Sequence, residues 1–307
     1  MLLGALLFMV GLALMIIAGD RFVDAAIEVS KKIKIPAAVI SATIVSIGTT
    51  LPEVLVSANA VAVKAPSVAT GVAFGSIICN TALIAGLIQL IRPAQMVVDE
   101  SFRRRLVYFM IFDLLLLFIG LRFGKFEPWV GLVLLAGFVC YAVNEVKRPQ
   151  DLEGILEVPA ERLIKPIIVL ICCTAMLAVG SRLVVVNGVK LAEVMGVSER
   201  VIAVTFIALG TSLPELVTAI SALMKGKTEM SVGTLVGANL LDLLLVIGIP
   251  AIFGGMQLDP LTASVDIPVG LAMMFVLTVP MLIKKRGYHW QGVLLVLGYL
   301  AYCLLQF

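Results

Sequence analysis

Two short stretches of this sequence hold the residues best suited to chemistry, and they are nearly the same stretch: Gly48-Thr49-Thr50-Leu51-Pro52-Glu53 and Gly210-Thr211-Ser212-Leu213-Pro214-Glu215. Each sets a carboxylate and two hydroxyls in a glycine–proline frame inside a long apolar run. Thr49 and Glu53 are spaced i, i+4, as are Thr211 and Glu215, so on a helix each hydroxyl shares a face with its carboxylate. Pro52 and Pro214 lack an N–H, which leaves the carbonyls of Gly48 and Gly210 without their helical donor, and the glycines permit unwinding there. Oxygens freed in this way can face a cation. A second pair of segments repeats the device. Ser76 and Asn80 stand i, i+4 in Gly75-Ser-Ile-Ile-Cys-Asn80, as do Ala238 and Asp242 in Gly237-Ala-Asn-Leu-Leu-Asp242, where Asn239 sits between them.

The inventory is oxygen alone: carboxylates, hydroxyls, amides and carbonyls, with no thiolate or imidazole. It suits hard cations, Ca²⁺ above all. Holding an acidic residue at mid-membrane costs about 2.5–3.5 kcal/mol on insertion scales. Glu53 and Glu215 together would neutralise one divalent ion and remove much of that penalty. When the ion leaves, Na⁺ or H⁺ must replace it, which is a physical reason for exchange.

The elements that position these groups are membrane helices. Apolar residues make up 61% of the 307 and charged ones 14%, against roughly 45–50% and about 25% in soluble chains. Apolar runs of about 17–25 residues separate the charges, each long enough to cross roughly 30 Å of hydrocarbon. Spans are expected near 2–20, 36–63, 68–91, 106–121, 128–146, 164–186, 201–224, 230–253, 264–283 and 290–306, an all-α membrane protein of ten transmembrane helices. The run Met1–Gly19 has no basic residue before it and no clear cleavage site, so it reads as a helix of the mature protein. Cys79, Cys140, Cys172, Cys173 and Cys303 lie in apolar runs without metal-type spacing and read as thiols facing core or lipid. His289 sits beside Lys284, Lys285 and Arg286 and reads as interfacial. A net charge of +3 gives no indication of nucleic acid. No cofactor and no obligatory protein partner is indicated; the partners are lipid and the transported ions.

The sequence also contains itself twice. ATIVSIGTTLPEV at 42–54 returns as AVTFIALGTSLPEL at 203–216; 162 residues separate Glu53 from Glu215, Gly75 from Gly237 and Asn80 from Asp242. Trp129-Val-Gly131 likewise answers Trp290-Gln-Gly292. Two halves are expected, 1–146 and 164–307, joined by a polar cytoplasmic linker at 147–163; Pro149 and Pro159 punctuate it and Pro166 follows it. Five spans per half is an odd number, so the second half enters the membrane from the opposite face, as in many secondary transporters. Odd-numbered connections carry sixteen Lys and Arg and even ones five. By the positive-inside rule the odd connections are cytoplasmic and both termini extracellular. Gly71, Gly75, Gly233 and Gly237 are expected to allow close helix packing.

The paired motifs, the GSIICN and GANLLD segments and the linker resemble the cation/Ca²⁺ exchanger superfamily, microbial Na⁺/Ca²⁺ exchanger branch, over essentially the whole chain. The resemblance implies a cell-membrane antiporter of two inverted five-helix repeats. It further implies a four-helix core holding a central cluster of cation sites, and alternating access by sliding of the first and sixth helices. Glu53 and Glu215 would be shared Ca²⁺ ligands that also touch Na⁺, and Thr49 and Thr211 would add oxygens. Ser76 would ligate one Na⁺, Asn80 and Asp242 would line the middle, and the Asp242 position would be able to carry a proton. Ser46 and Ala208 would contribute carbonyls alone, while Thr50, Ser212 and Asn239 would have weaker roles. Proton/Ca²⁺ exchangers of the superfamily resemble a motif with Asn after the glycine, so Thr49 and Thr211 favour Na⁺. The alternative is H⁺-coupled Ca²⁺ or Mn²⁺ antiport, supported by Asp242 and by a departure from the pattern: Ala238 stands where the pattern has a hydroxyl opposite Ser76. Asp113, a further carboxylate inside the fourth span, is expected to be paired in the interior. Broken helices at matched positions fit alternating access better than a continuous pore. An enzyme is disfavoured because the polar cluster has no nucleophile–base pair.

Overall fold

The computed structural model describes residues 2–33, 43, 45–62, 66–93, 100–146, 159–194 and 208–305. Within them the chain is almost wholly helical. Helix α1 is Leu2–Ile33 and α2 is Ser46–Ala62. The third, α3, runs through Pro66–Ile78, a π-helical turn Cys79–Ile84 and Ala85–Ile91. Next come α4 (Glu100–Phe123), α5 (Pro128–Val146) and α6 (Ala160–Val194). In two pieces, α7 comprises Ala208–Thr211 and Leu213–Met224. Helix α8 is Thr228–Leu241, a π-helical turn Asp242–Ile247 and Gly248–Gly254. A π-helical turn Thr262–Asp266 opens α9, which continues as Ile267–Lys284, and α10 is His289–Leu305.

Among the described residues seven helices are long and apolar enough to cross a membrane: α1, α3, α4, α5, α6, α8 and α9. Of the other three expected spans, those at 36–63 and 201–224 lie partly outside the described residues, and α10 has 17 residues. With 32 and 35 residues, α1 and α6 outrun the expected 2–20 and 164–186. An apolar run ends at its first charges, Asp20 and Arg21, but the helix continues because Phe22, Val23, Ala26, Val29 and Ile33 form a buried stripe. Helix α6 likewise begins inside the expected linker and takes in Pro166; residues 147–158 lie outside the described ones.

Glycines set the closest approaches. A Cβ on Gly180 of α6 would lie 2.5 Å from Met15 Cγ and 3.0 Å from the Gly11 carbonyl of α1. One on Gly131 of α5 would lie 2.6 Å from the Gly248 carbonyl of α8, and one on Gly292 of α10 would lie 2.6 Å from the Gly86 carbonyl of α3. Gly86 and Gly248 are themselves 162 residues apart, so the same backbone contact is made twice, each time between one half and the other. Gly71, expected to serve close packing, has nothing within 4 Å of a built Cβ.

Prolines inside helices free the carbonyl four residues back, and other helices capture these carbonyls. For Pro166 the Arg162 carbonyl accepts from Lys32 Nζ at 2.7 Å. For Pro214 the Gly210 carbonyl accepts from Ser181 Oγ at 2.7 Å. For Pro250 the Val246 carbonyl accepts from Ser57 Oγ, and for Pro280 the Val276 carbonyl accepts from Gln291 Nε2, both at 2.7 Å. Pro52 differs: no side chain is seen to capture the Gly48 carbonyl among the described residues.

Connections sort to two ends. Lys225 Nζ is 2.7 Å from both Asp20 Oδ1 and Asp24 Oδ1, Lys32 reaches Arg162, and His289 Nδ1 lies 3.0 Å from the Leu90 carbonyl. These mark a lower end, formed by odd-numbered connections. At the upper end strands β1 (Lys125–Phe126) and β2 (Met256–Gln257) pair antiparallel, and Tyr302 Oη donates to Asp266 Oδ1 at 2.9 Å.

A Gly180→Ala substitution is expected to destabilise the fold by about 1–3 kcal/mol through overpacking at α1. Gly71→Ala, facing open space, is expected to be neutral or stabilising by up to about 1 kcal/mol from helix propensity. Thermal unfolding in detergent micelles measures both, and equal losses in the two variants would refute the glycine contact.

Candidate cation site

Helices α2, α3, α7 and α8 pack against one another and enclose nearly every polar residue singled out in the motifs. Ser46, Thr49, Thr50 and Glu53 come from α2, Ser76 and Asn80 from α3, Thr211, Ser212 and Glu215 from the α7 region, and Asn239 and Asp242 from α8. None is more than 4% exposed. Ala208 opens the first piece of α7.

Polar contacts tie the four helices across the halves. Ser76 Oγ and Thr211 Oγ1 are 3.4 Å apart, joining α3 to α7. Ser46 Oγ donates to the Thr234 carbonyl at 2.8 Å, joining α2 to α8, and Asn239 Nδ2 donates to Thr81 Oγ1 at 2.6 Å, joining α8 to α3. The carboxylate of Glu53 lies close enough to Glu215 and Asp242 to be repelled by both, and Glu215 lies beside the hydroxyls of Thr49 and Thr50.

Eight buried oxygens in this group lack a hydrogen-bond partner: Glu53 Oε1 and Oε2, Glu215 Oε2, Asp242 Oδ2, Asn80 Oδ1, Asn239 Oδ1, Thr50 Oγ1 and Ser212 Oγ. The carboxylate and amide oxygens accept from donors, and ionised carboxylates can do nothing else. Each unsatisfied buried acceptor costs about 1–3 kcal/mol, more when charged. A bare cation is the one ligand that satisfies several acceptors and offsets the mutual repulsion at once. Among the described residues no three His, Cys, Asp or Glu side chains form a metal cage by themselves. Hydroxyl, amide and carbonyl oxygens must therefore complete any coordination shell, which again selects a hard ion.

Several expectations need correction. The Gly210 carbonyl, expected to stand without a donor, accepts from Ser181 Oγ at 2.7 Å. Of the two proline-bearing motif helices α7 is interrupted, at Ser212 with φ −83° and ψ 4°, whereas the described part of α2, Ser46–Ala62, runs unbroken through Pro52. Ser46, expected to act through its carbonyl alone, also spends its hydroxyl bridging to α8. Asp113 is 1% exposed and its Oδ2 lacks a hydrogen-bond partner, so the expected interior pairing is not seen.

Thr81 and Ser181 were missed by sequence reasoning, as were the π-helical turns that start at Cys79 and Asp242, beside or on the motif residues. Such turns are frequent at functional sites. Periodicity gives no signal for them, but the need of Asn239 for an acceptor and of Gly210 for a donor could have prompted a search for both side chains. Ala238 is fully buried at the place matching Ser76. The consequence shows at Thr49: Thr211 has Ser76 across from it, whereas Thr49 Oγ1 lies 3.3 Å from the carbonyls of Val45 and Ser46 in its own chain segment.

Comparison with known proteins gives one consistent result. The sequence model of the family described as sodium/calcium exchanger protein matches residues 3–146 and 165–307. The inner membrane protein YrbG of Escherichia coli is 36% identical over 90% of this chain and 88% of its own. The sodium/calcium exchanger MaX1 of Methanosarcina acetivorans is 26% identical over 98% of each. Among solved structures, the sodium-calcium exchanger NCX_Mj soaked with 10 mM Na⁺ and zero Ca²⁺ superposes with a TM-score of 0.84 at 29% identity, covering 98% of this chain and 97% of that one.

Proposed function

The chain belongs to the sodium/calcium exchanger family, and from that premise we propose that it is a secondary antiporter exchanging Ca²⁺ for Na⁺ at the site between α2, α3, α7 and α8. The observation that carries this reading is the set of eight unsatisfied buried oxygens around opposed carboxylates. Glu53 and Glu215 hold Ca²⁺, and Thr49, Thr211, Ser76, Asn80 and Asp242 complete Ca²⁺ or Na⁺ shells. Carbonyls at Ser46 and Ala208 contribute as well, with Thr50, Ser212 and Asn239 behind them. Two inverted halves, 1–146 and 164–307, with ten crossings and a linker at 147–163, present this site alternately to each face. That reading draws support from the doubled glycine contacts and from the sorting of odd and even connections to opposite ends.

Proton coupling remains the second reading, since Ala238 leaves one Na⁺ position short of an oxygen and Asp242 is an acid within reach of Glu215. In liposomes, an outward Na⁺ gradient should drive Ca²⁺ uptake and a pH gradient alone should not. Glu53→Gln and Glu215→Gln should each abolish that uptake, and near-normal flux in either would remove the central claim.

Ala238→Ser should lower the Na⁺ concentration needed to drive Ca²⁺ exchange, because it restores the hydroxyl opposite Thr49. An unchanged Na⁺ titration would show that position 238 is no ligand site. The lower end is cytoplasmic under the positive-inside rule. Membrane-impermeant labels should therefore reach cysteines placed at either terminus from outside and cysteines at 150–162 from the cytoplasm; the reverse pattern would invert the assigned topology.

A further inference from the structure

The carbonyl freed by Pro214 is held by a residue of a different helix, and the equivalent hold is missing in the other half. Ser181 of α6 is 4% exposed and donates to the Gly210 carbonyl at 2.7 Å. The bond falls at the last turn before α7 breaks at Ser212, next to Thr211 and one turn before Glu215. Helix α6 lies hard against this turn: a Cβ on Gly210 would sit 2.2 Å from Val185 Cγ2. The motif offset carries Gly210 to Gly48, while Gly19-Asp20-Arg21 aligns with Gly180-Ser181-Arg182 at an offset of 161 and so carries Ser181 to Asp20. Asp20 is a carboxylate, which accepts and does not donate, and Lys225 Nζ holds it at 2.7 Å, so α1 offers no donor at that place to the carbonyl freed by Pro52. Thr174, whose hydroxyl lies nearest Gly48, uses it on the Leu170 carbonyl of its own helix at 2.9 Å.

In an inverted-repeat transporter the two access states exchange the roles of the halves. A hydrogen bond that one half can make and the other cannot therefore favours one state over its mirror image. We propose that Ser181 is a positioning residue whose hydroxyl latches α6 to the break in α7 and biases the resting transporter toward the conformation open at the upper end. At the upper end of this structure a cavity of about 980 Å³ is lined by Ala58, Val61 and Ala62 of α2, beginning five residues beyond Glu53, and by residues of β1 and β2. The latch supplies the donor that Pro214 removes, keeps Thr211 turned toward Ser76, and must be broken before the site opens at the lower end. This inference rests on the exchanger reading of the site.

The test is the apparent KM for Ca²⁺ measured separately at the two faces, in vesicles of both orientations. Apparent affinity at a face scales with the fraction of protein open to it. Losing one buried hydrogen bond changes the equilibrium about fivefold, so Ser181→Ala should shift the ratio of the two KM values by about fivefold, weakening binding at the upper face relative to the lower. Ser181→Thr, which keeps the hydroxyl, should return the ratio toward that of the unaltered protein. A purely structural defect would lower the amount of active protein without moving the ratio. Should Ser181→Ala fail to accumulate, Ser181→Cys should give a smaller shift in the same direction. An unchanged ratio with exchange intact overturns the latch and leaves the transport reading standing; absence of exchange in the unaltered protein overturns the transport reading itself.

Discussion

In hydrocarbon no water is present to satisfy a backbone carbonyl, so each proline placed inside a helix creates a debt of one hydrogen bond that another part of the chain must settle. Much of this structure follows from that constraint. Ser57, Ser181 and Gln291 each settle one such carbonyl inside the bundle, each from a different helix, and Lys32 settles a fourth at the exposed lower end. What would be a local defect becomes a tie between elements that have little hydrophobic reason to choose one another in lipid. For the Gly48 carbonyl, freed by Pro52, no such side chain is seen among the described residues.

The cation site extends the same logic from single atoms to a group. Its carboxylate and amide oxygens cannot satisfy one another, because carboxylates repel and amide oxygens do not donate, and the few hydroxyls among them offer one proton each. Elsewhere in the interior hydroxyls turn back onto their own helix, as Thr218 does with the Pro214 carbonyl and Thr278 with the Met274 carbonyl. Around Glu53 and Glu215 that remedy is used sparingly, and the frustration is concentrated where an ion can relieve it. The polar bonds that do form, from Ser46, Asn239 and Ser57, run between helices and hold the cluster's walls rather than neutralise its charge.

The repeat and the motifs were legible because they are matters of residue type and offset. Membrane helices, the paired glutamates and the burial of every motif side chain described above followed from them. Bounds were less legible: α1 and α6 continue beyond their apolar runs on the strength of a stripe that packs one against the other, a tertiary effect that hydropathy windows do not contain. The fate of each freed carbonyl was equally hidden. Which donor reaches it depends on how two distant helices cross, and Ser181 carries no mark in the sequence that distinguishes it from any other serine. The exception to the repeat at Ala238 was visible as a letter, yet its effect on Thr49 needed coordinates.

The doubled glycine contacts have a consequence for how the chain is made. Gly131 of α5 seats on α8, and Gly292 of α10 seats on α3, so the last helix of each half completes the other half. Neither half can bury its own surface when it first enters the bilayer. During synthesis α3 is inserted long before its partner, and its face at Gly86 stays uncovered until α10 docks there. Contacts of such long sequence separation make assembly slow and late, and they make the carboxyl-terminal helix a keystone whose loss would unseat the opposite half of the molecule.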